Sequence, residues 1–222
     1  MAFRRGFAVA LALVSTTAVF GAAPASAAQP PPPPPPPASG GTGSIGEAQG
    51  VIDGQPVTIA ELAACDTSGT RFASTPGAQS GDIVRYGWGR STCSRDWWGT
   101  TSVQVNGTLF RLDALRRWGG PTIHVSGFSV ACQAGWWGTW SNFQVSGVFG
   151  VRIPARVPPN YTVWVRGSGM PGSTPIAKVV VNEVDRSVPG TLKINLLHIT
   201  LFPSGPSIHS GDFVVGSVSC SR

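Results

Sequence analysis

One eight-residue stretch occurs twice in this chain, and the repetition constrains the architecture on either side of it. Cys93-Ser-Arg-Asp-Trp97-Trp98-Gly99-Thr100 returns 39 residues later as Cys132-Gln-Ala-Gly-Trp136-Trp137-Gly138-Thr139. The Cys, both Trp, the Gly and the Thr agree, and the likeness extends outwards. Gly87-Trp88 precedes the first copy as Gly127-Phe128 precedes the second, and Val105-Asn-Gly follows the first as Val145-Ser-Gly follows the second. Each copy predicts a strand ending at its Cys, a short turn, and a return strand opened by Trp-Trp-Gly-Thr. Two copies are too few for a solenoid or propeller, which stack at least three units. Two hairpins related by a pseudo-twofold within one sandwich are expected instead. Because neighbours on a strand face opposite ways, one indole of each pair should point inward. Trp97 and Trp136 are assigned that role, packed on a neighbouring disulfide. Trp98, Trp137 and Trp140 then face outward as ligand-binding residues: flat apolar platforms that stack on sugar rings or on a partner's aliphatic groups.

The rest of the chain also reads as all-β. Short runs rich in Val, Ile, Phe and Trp lie between Gly, Pro, Ser and Asn punctuation. Strands are expected over 82–88, 101–112, 122–132, 141–153, 162–166, 176–184, 191–202 and 212–220. Within 191–202, Leu192, Ile194 and Leu196 share one face, while Leu197, Ile199 and Leu201 continue it out of phase. Such a flip is expected of a β-bulge. Thr58-Ile-Ala-Glu61 fits a capping box and predicts one or two helical turns through Ala64. The fold class that follows is an antiparallel β-sandwich of about eight strands containing the duplicated hairpin. A barrel is the alternative.

The N-terminal segment indicates export. Arg4 and Arg5 precede an apolar run from Phe7 to Phe20, and Ala25-Ser-Ala27 is a small-residue cleavage site, so 1–27 reads as a signal peptide. The run of about 14 residues is too short to span a bilayer as a helix. Residues 28–49 are expected to be linker. They hold eight consecutive prolines, Pro30–Pro37, which form a polyproline II rod of about 25 Å. A Gly/Ser/Thr joint follows, and residues 50–222 form a single β domain. Four cysteines, Cys65, Cys93, Cys132 and Cys220, all lie in the exported part, and an even number in an oxidising compartment reads as two disulfides. Three connectivities are open. Cys65–Cys93 with Cys132–Cys220 is preferred, because it gives the duplicated cysteines equivalent outer partners.

The residue types needed for catalysis are sparse. Removal of the signal leaves 14 basic against 10 acidic residues, a net of +4. The densest basic group, Arg85, Arg90, Arg95, Arg111, Arg116 and Arg117, is interrupted by Asp82, Asp96 and Asp113. A nucleic-acid partner would need a concentrated basic stripe, so none is expected, and the charge reads as a soluble surface. Glu183 and Asp185 are the one close same-face acidic pair and read as a solvated strand end rather than a glycosidase pair. His124 and His198 alternate with apolar residues, and His209 lies in a loop. No metal-ligand spacing occurs, so neither a metal nor another cofactor is expected. Gly127-Phe-Ser-Val-Ala131 sits within a strand rather than at a strand-to-helix turn, and is not taken as a nucleophile elbow.

At the end of the chain, Asn195, Leu197, His198, Thr200 and Leu201 precede Gly211, Asp212 and Cys220. This pattern, over about 30 of 222 residues, resembles the closing segment of the choice-of-anchor P family of exported actinobacterial proteins. The resemblance implies a secreted or surface β domain with no established chemistry. From the residues themselves, His198 is expected to support a cross-strand hydrogen bond and Asp212 to cap the turn at Gly211. The chain stops at Cys220-Ser-Arg222 with no sorting motif or hydrophobic tail, so release or loose association with the cell envelope is expected. The functional expectation is an exported non-enzymatic protein binding cell-envelope or extracellular polysaccharide through its paired tryptophans. The alternatives are a structural domain docking a surface protein, and an unrecognised hydrolase.

Overall fold

The structure is a computed structural model that describes residues 40–168, 174–203 and 209–222. The expected signal and the proline run lie outside the described residues, all of which belong to one compact unit. The strands are β1 (Gly41–Ile52), β2 (Gln55–Leu62), β3 (Cys65–Asp66), β4 (Phe72–Thr75), β5 (Ala78–Ser80), β6 (Val84–Tyr86) and β7 (Gly89–Arg95). They continue as β8 (Thr101–Leu112), β9 (Ile123–Gly135), β10 (Gly138–Phe149), β11 (Tyr161–Val165), β12 (Ala177–Asp185), β13 (Thr191–Leu201) and β14 (Ser210–Ser221). A 3-10 helix, Ala114–Trp118, follows β8. No helix among the described residues is long and apolar enough to cross a membrane.

Two antiparallel sheets of seven strands face each other. The first runs β11-β12-β13-β14-β1-β2, with β3 on the edge of β1. The second runs β10-β9-β8, and β8 then pairs with β6 at one end and β7 at the other, with β5 and β4 outside them. One apolar core spans both layers, with Phe110, Phe213, Ile45, Leu115 and Ile176 fully buried. The expected sandwich is therefore present, and each of the eight expected strands has a counterpart within a few residues.

Residues 41–49, expected as linker, are instead most of β1, which pairs with β14 on one side and β2 on the other. Their glycines are a packing requirement. A Cβ on Gly41 or Gly43 would collide with Val103 of the opposite sheet, so the sheets approach here through bare backbone. The helix expected at Thr58–Ala64 is likewise corrected. Val57 and Ile59 are buried while Thr58 and Ala60 are exposed, the period-two pattern of strand β2.

The phase flip in β13 has a wider cause than a bulge. Pairing steps over Leu196 and its neighbours Asn182 and Gly216 together, with no register shift. Asn182 and Gly216 have φ of 55° and 63°. Pairing of β1 with β14 skips Ile45 at the same level. The kink thus crosses four strands, each of which changes its buried face there. The second sheet does the same at Leu109 (φ 48°), Ser126 and Gly147 (φ 60°).

Both disulfides join the two sheets with the preferred connectivity. Cys65–Cys93 ties β3 to β7, and Cys132–Cys220 ties β9 to β14. Gly41 pairs with Cys220 and its backbone abuts Thr101. Residues 40 and 222 therefore leave the sandwich at the end where β8 begins.

Candidate functional site

The duplicated hairpins are β7–β8 and β9–β10, and they lie side by side in one sheet. Since β8 is antiparallel to both β7 and β9, β7 and β9 run the same way. The copies are therefore related by a shift of two strands, about 10 Å, rather than by the expected twofold. A twofold normal to the sheet would send the two tips to opposite ends. The shift brings them together at one.

The two tips differ in construction. In the first, five residues separate the last pair, Arg95 and Thr101. The Asp96 carboxylate accepts a hydrogen bond from the Thr100 N–H at 2.7 Å, and Gly99 supplies a φ of 82°. In the second, Trp136 and Trp137 alone form the turn between the paired Gly135 and Gly138. Both Trp pairs thus sit in turns, where strand alternation does not apply. Trp97 and Trp136, expected to be inward on the disulfides, are 81% and 83% exposed.

Trp98, Trp136 and Trp137 line one cleft of about 350 Å³ with Asp96 and Thr100. Trp97 packs against Trp98 at a tilt of 36° with ring centroids 3.6 Å apart, and Trp136 meets Trp137 edge-on at 5.5 Å. Trp137 folds back over Gly135, where a Cβ would stand 3.0 Å from the indole. Trp140 lies apart from the cleft, exposed on β10, with its indole N–H donating to Gln133 Oε1 at 3.0 Å. Of the three expected platforms, the fold brings two together, adds Trp136, and leaves Trp140 elsewhere.

A second polar cluster occupies β12, β13 and β14. His198 Nδ1 lies 3.0 Å from both Glu183 oxygens, and Nε2 lies 3.1 Å from Asp212 Oδ1. Asn195 donates to Glu183 at 2.7 Å, and Thr200 donates to Asp212 at 2.9 Å. Glu183 is therefore no solvated strand end, and Asp212 binds side chains across the sheet rather than capping the Gly211 turn. The His198 hydrogen bond holds the Glu183 carboxyl below its ordinary range, against burial. The same bond raises the imidazole of His198, with a smaller contribution from Asp212. With a carboxylate at each ring nitrogen, His198 is most stable as the imidazolium, donating both protons. The cluster ties β12, β13 and β14 together as a clamp across three strands. Asn195, His198 and Asp212 are legible in the sequence, but the approach of Glu183 is set only by the register of β12 on β13.

His124 contacts Ser126 at 3.1 Å, and His209 Nδ1 accepts the Asp53 N–H. Among the described residues no group of three His, Cys, Asp or Glu side chains is arranged to hold a metal ion. No family model, curated protein or solved structure matches this chain.

Proposed function

We propose that this is an exported, non-catalytic protein that binds a cell-envelope or extracellular polysaccharide through the cleft between its two tryptophan tips, and that it belongs with the choice-of-anchor P proteins it resembles. The carrying observation is the convergence of Trp98, Trp136 and Trp137 on one opening. Exposed indoles at this density leave apolar surface in water that a ligand would cover. A pyranose ring offers a flat C–H face of matching size, and its rim hydroxyls would meet Thr100 and Asp96. The one carboxylate lining the cleft, Asp96, is engaged in holding its own turn, whereas glycoside hydrolysis uses a facing pair. Export accords with two intersheet disulfides. Docking of a surface protein is the second reading. It is favoured by Trp97, which lies outside the cleft lining and remains largely exposed.

Co-sedimentation of the disulfide-intact protein with purified cell-wall and capsular polysaccharide, followed by tryptophan fluorescence, tests this. Retention with a fluorescence shift is expected, weakened about fivefold or more in Trp98→Ala/Trp137→Ala, since two lost stacking contacts amount to about 1–3 kcal/mol. Absence of retention would overturn the polysaccharide reading and favour protein docking.

A further inference from the structure

At the end of the sandwich away from the tryptophans, the fold gathers arginines that are scattered in the sequence. Arg85 on β6, Arg111 on β8, and Arg116 and Arg117 on the 3-10 helix line a cleft of about 720 Å³ together with Asp82 and Asp113. We propose that this cleft is a second binding site, taking the carboxylate or phosphate groups of an acidic extracellular polymer. The inference is independent of the tryptophan reading.

Arg85 and Arg111 are directly paired across adjacent strands, and both are exposed. Like charges in that position destabilise a sheet, and packing does not require them. The inward neighbours Val84, Tyr86 and Leu112 supply the core. Arg116 and Arg117 have an ordinary explanation, since basic residues at a helix C-terminus meet its free carbonyls. That explanation does not reach Arg85 opposite Arg111.

The available carboxylates do not neutralise the group. Asp113 is held by the Arg111 fork, at 3.1 Å through Nη2 and more closely through Nε, and it also accepts from Thr122 at 2.6 Å. Arg117 is paired with Asp53. Among the described residues, Arg85 and Arg116 form no ion pair. Arg116 adds a weaker attraction to Asp113 and Asp82 also lines the cleft, so four guanidinium groups meet two lining carboxylates across one open space of ligand size. Guanidinium forks match planar carboxylates and tetrahedral phosphates through paired N–H donors.

Affinity electrophoresis of the whole protein in gels containing polygalacturonate, polyphosphate or neutral dextran tests the site. Retardation is expected in a charged gel, with dissociation about tenfold easier in Arg85→Ala/Arg116→Ala, the loss of roughly one charge-assisted contact. Arg152→Ala/Arg156→Ala removes the same charge from the exposed loop after β10 and should migrate like the parent. Trp98→Ala/Trp137→Ala should also leave this retardation unchanged. Retardation by polygalacturonate alone identifies carboxylates as the ligand group, and by polyphosphate alone identifies phosphates. Equal loss in both arginine variants would reduce the effect to net charge and overturn the site, as would free migration in both charged gels.

Discussion

His198 shows what a single side chain contributes when its partners come from two neighbouring strands. Because its folded pKa is raised, its stabilisation is complete below the ordinary value of 6.5 and is lost as pH climbs through the folded value. Glu183 has the opposite sign. Its folded pKa is depressed, so its contribution is complete above the ordinary 4.5 and is lost as pH falls through the folded value. The clamp is therefore at full strength between about pH 4.5 and 6.5 and weakens on either side. Thermal melts across pH should show a stability maximum in that interval, and His198→Gln should flatten the limb above it. A parent profile that does not fall on the alkaline side would show that the pair contributes nothing to folding.

At the scale of the element, the glycines decide how closely the sheets approach. The Phe128 ring of β9 lies where a Cβ on Gly107 would stand 2.3 Å away, and a Cβ on Gly216 of the opposite sheet would meet the same ring at 3.0 Å. Gly107 has an ordinary φ, so Gly107→Ala tests space alone. The expected loss is about 1–3 kcal/mol in urea denaturation, the usual cost of overpacking, and it should shrink in a Phe128→Leu background. The same glycines explain what was legible in the sequence. Strands 101–112 and 191–202 carry alternating Val, Leu and Ile and could be read directly. β1, β4, β5 and β7 are rich in Gly, Ser, Thr and Ala, whose burial comes from the sheet opposite, and alternation cannot reveal that. In β2 the alternating Val57 and Ile59 are present but masked by the capping-box match at Thr58 and Glu61. The tryptophan pairs could be seen as a repeat, but strand geometry was the wrong rule for residues in turns. Their meeting in one cleft depends on the two-strand shift between the hairpins, which local sequence does not encode.

For the whole molecule, the two disulfides are the only covalent cross-links between the layers among the described residues, apart from the main chain itself, and they close loops of different size. Cys65–Cys93 spans 28 residues and Cys132–Cys220 spans 88. Chain entropy alone gives about 3.5 and 4.5 kcal/mol respectively. Cys132→Ala/Cys220→Ala should therefore lower the denaturation midpoint more than Cys65→Ala/Cys93→Ala; the reverse order would place the stabilisation in native packing rather than in the unfolded chain. The molecule is also polar along its length. One cleft is aromatic, the other cationic, and β8 separates them by roughly 35 Å. Residues 40 and 222 both emerge beside the aromatic end. A bead, affinity tag or fusion partner attached directly at residue 222 would crowd the tryptophans and turn the arginines towards solvent. An array prepared that way would favour any ligand of the arginine cleft over any ligand of the tryptophan cleft, so immobilisation chemistry by itself can reverse an apparent ligand preference.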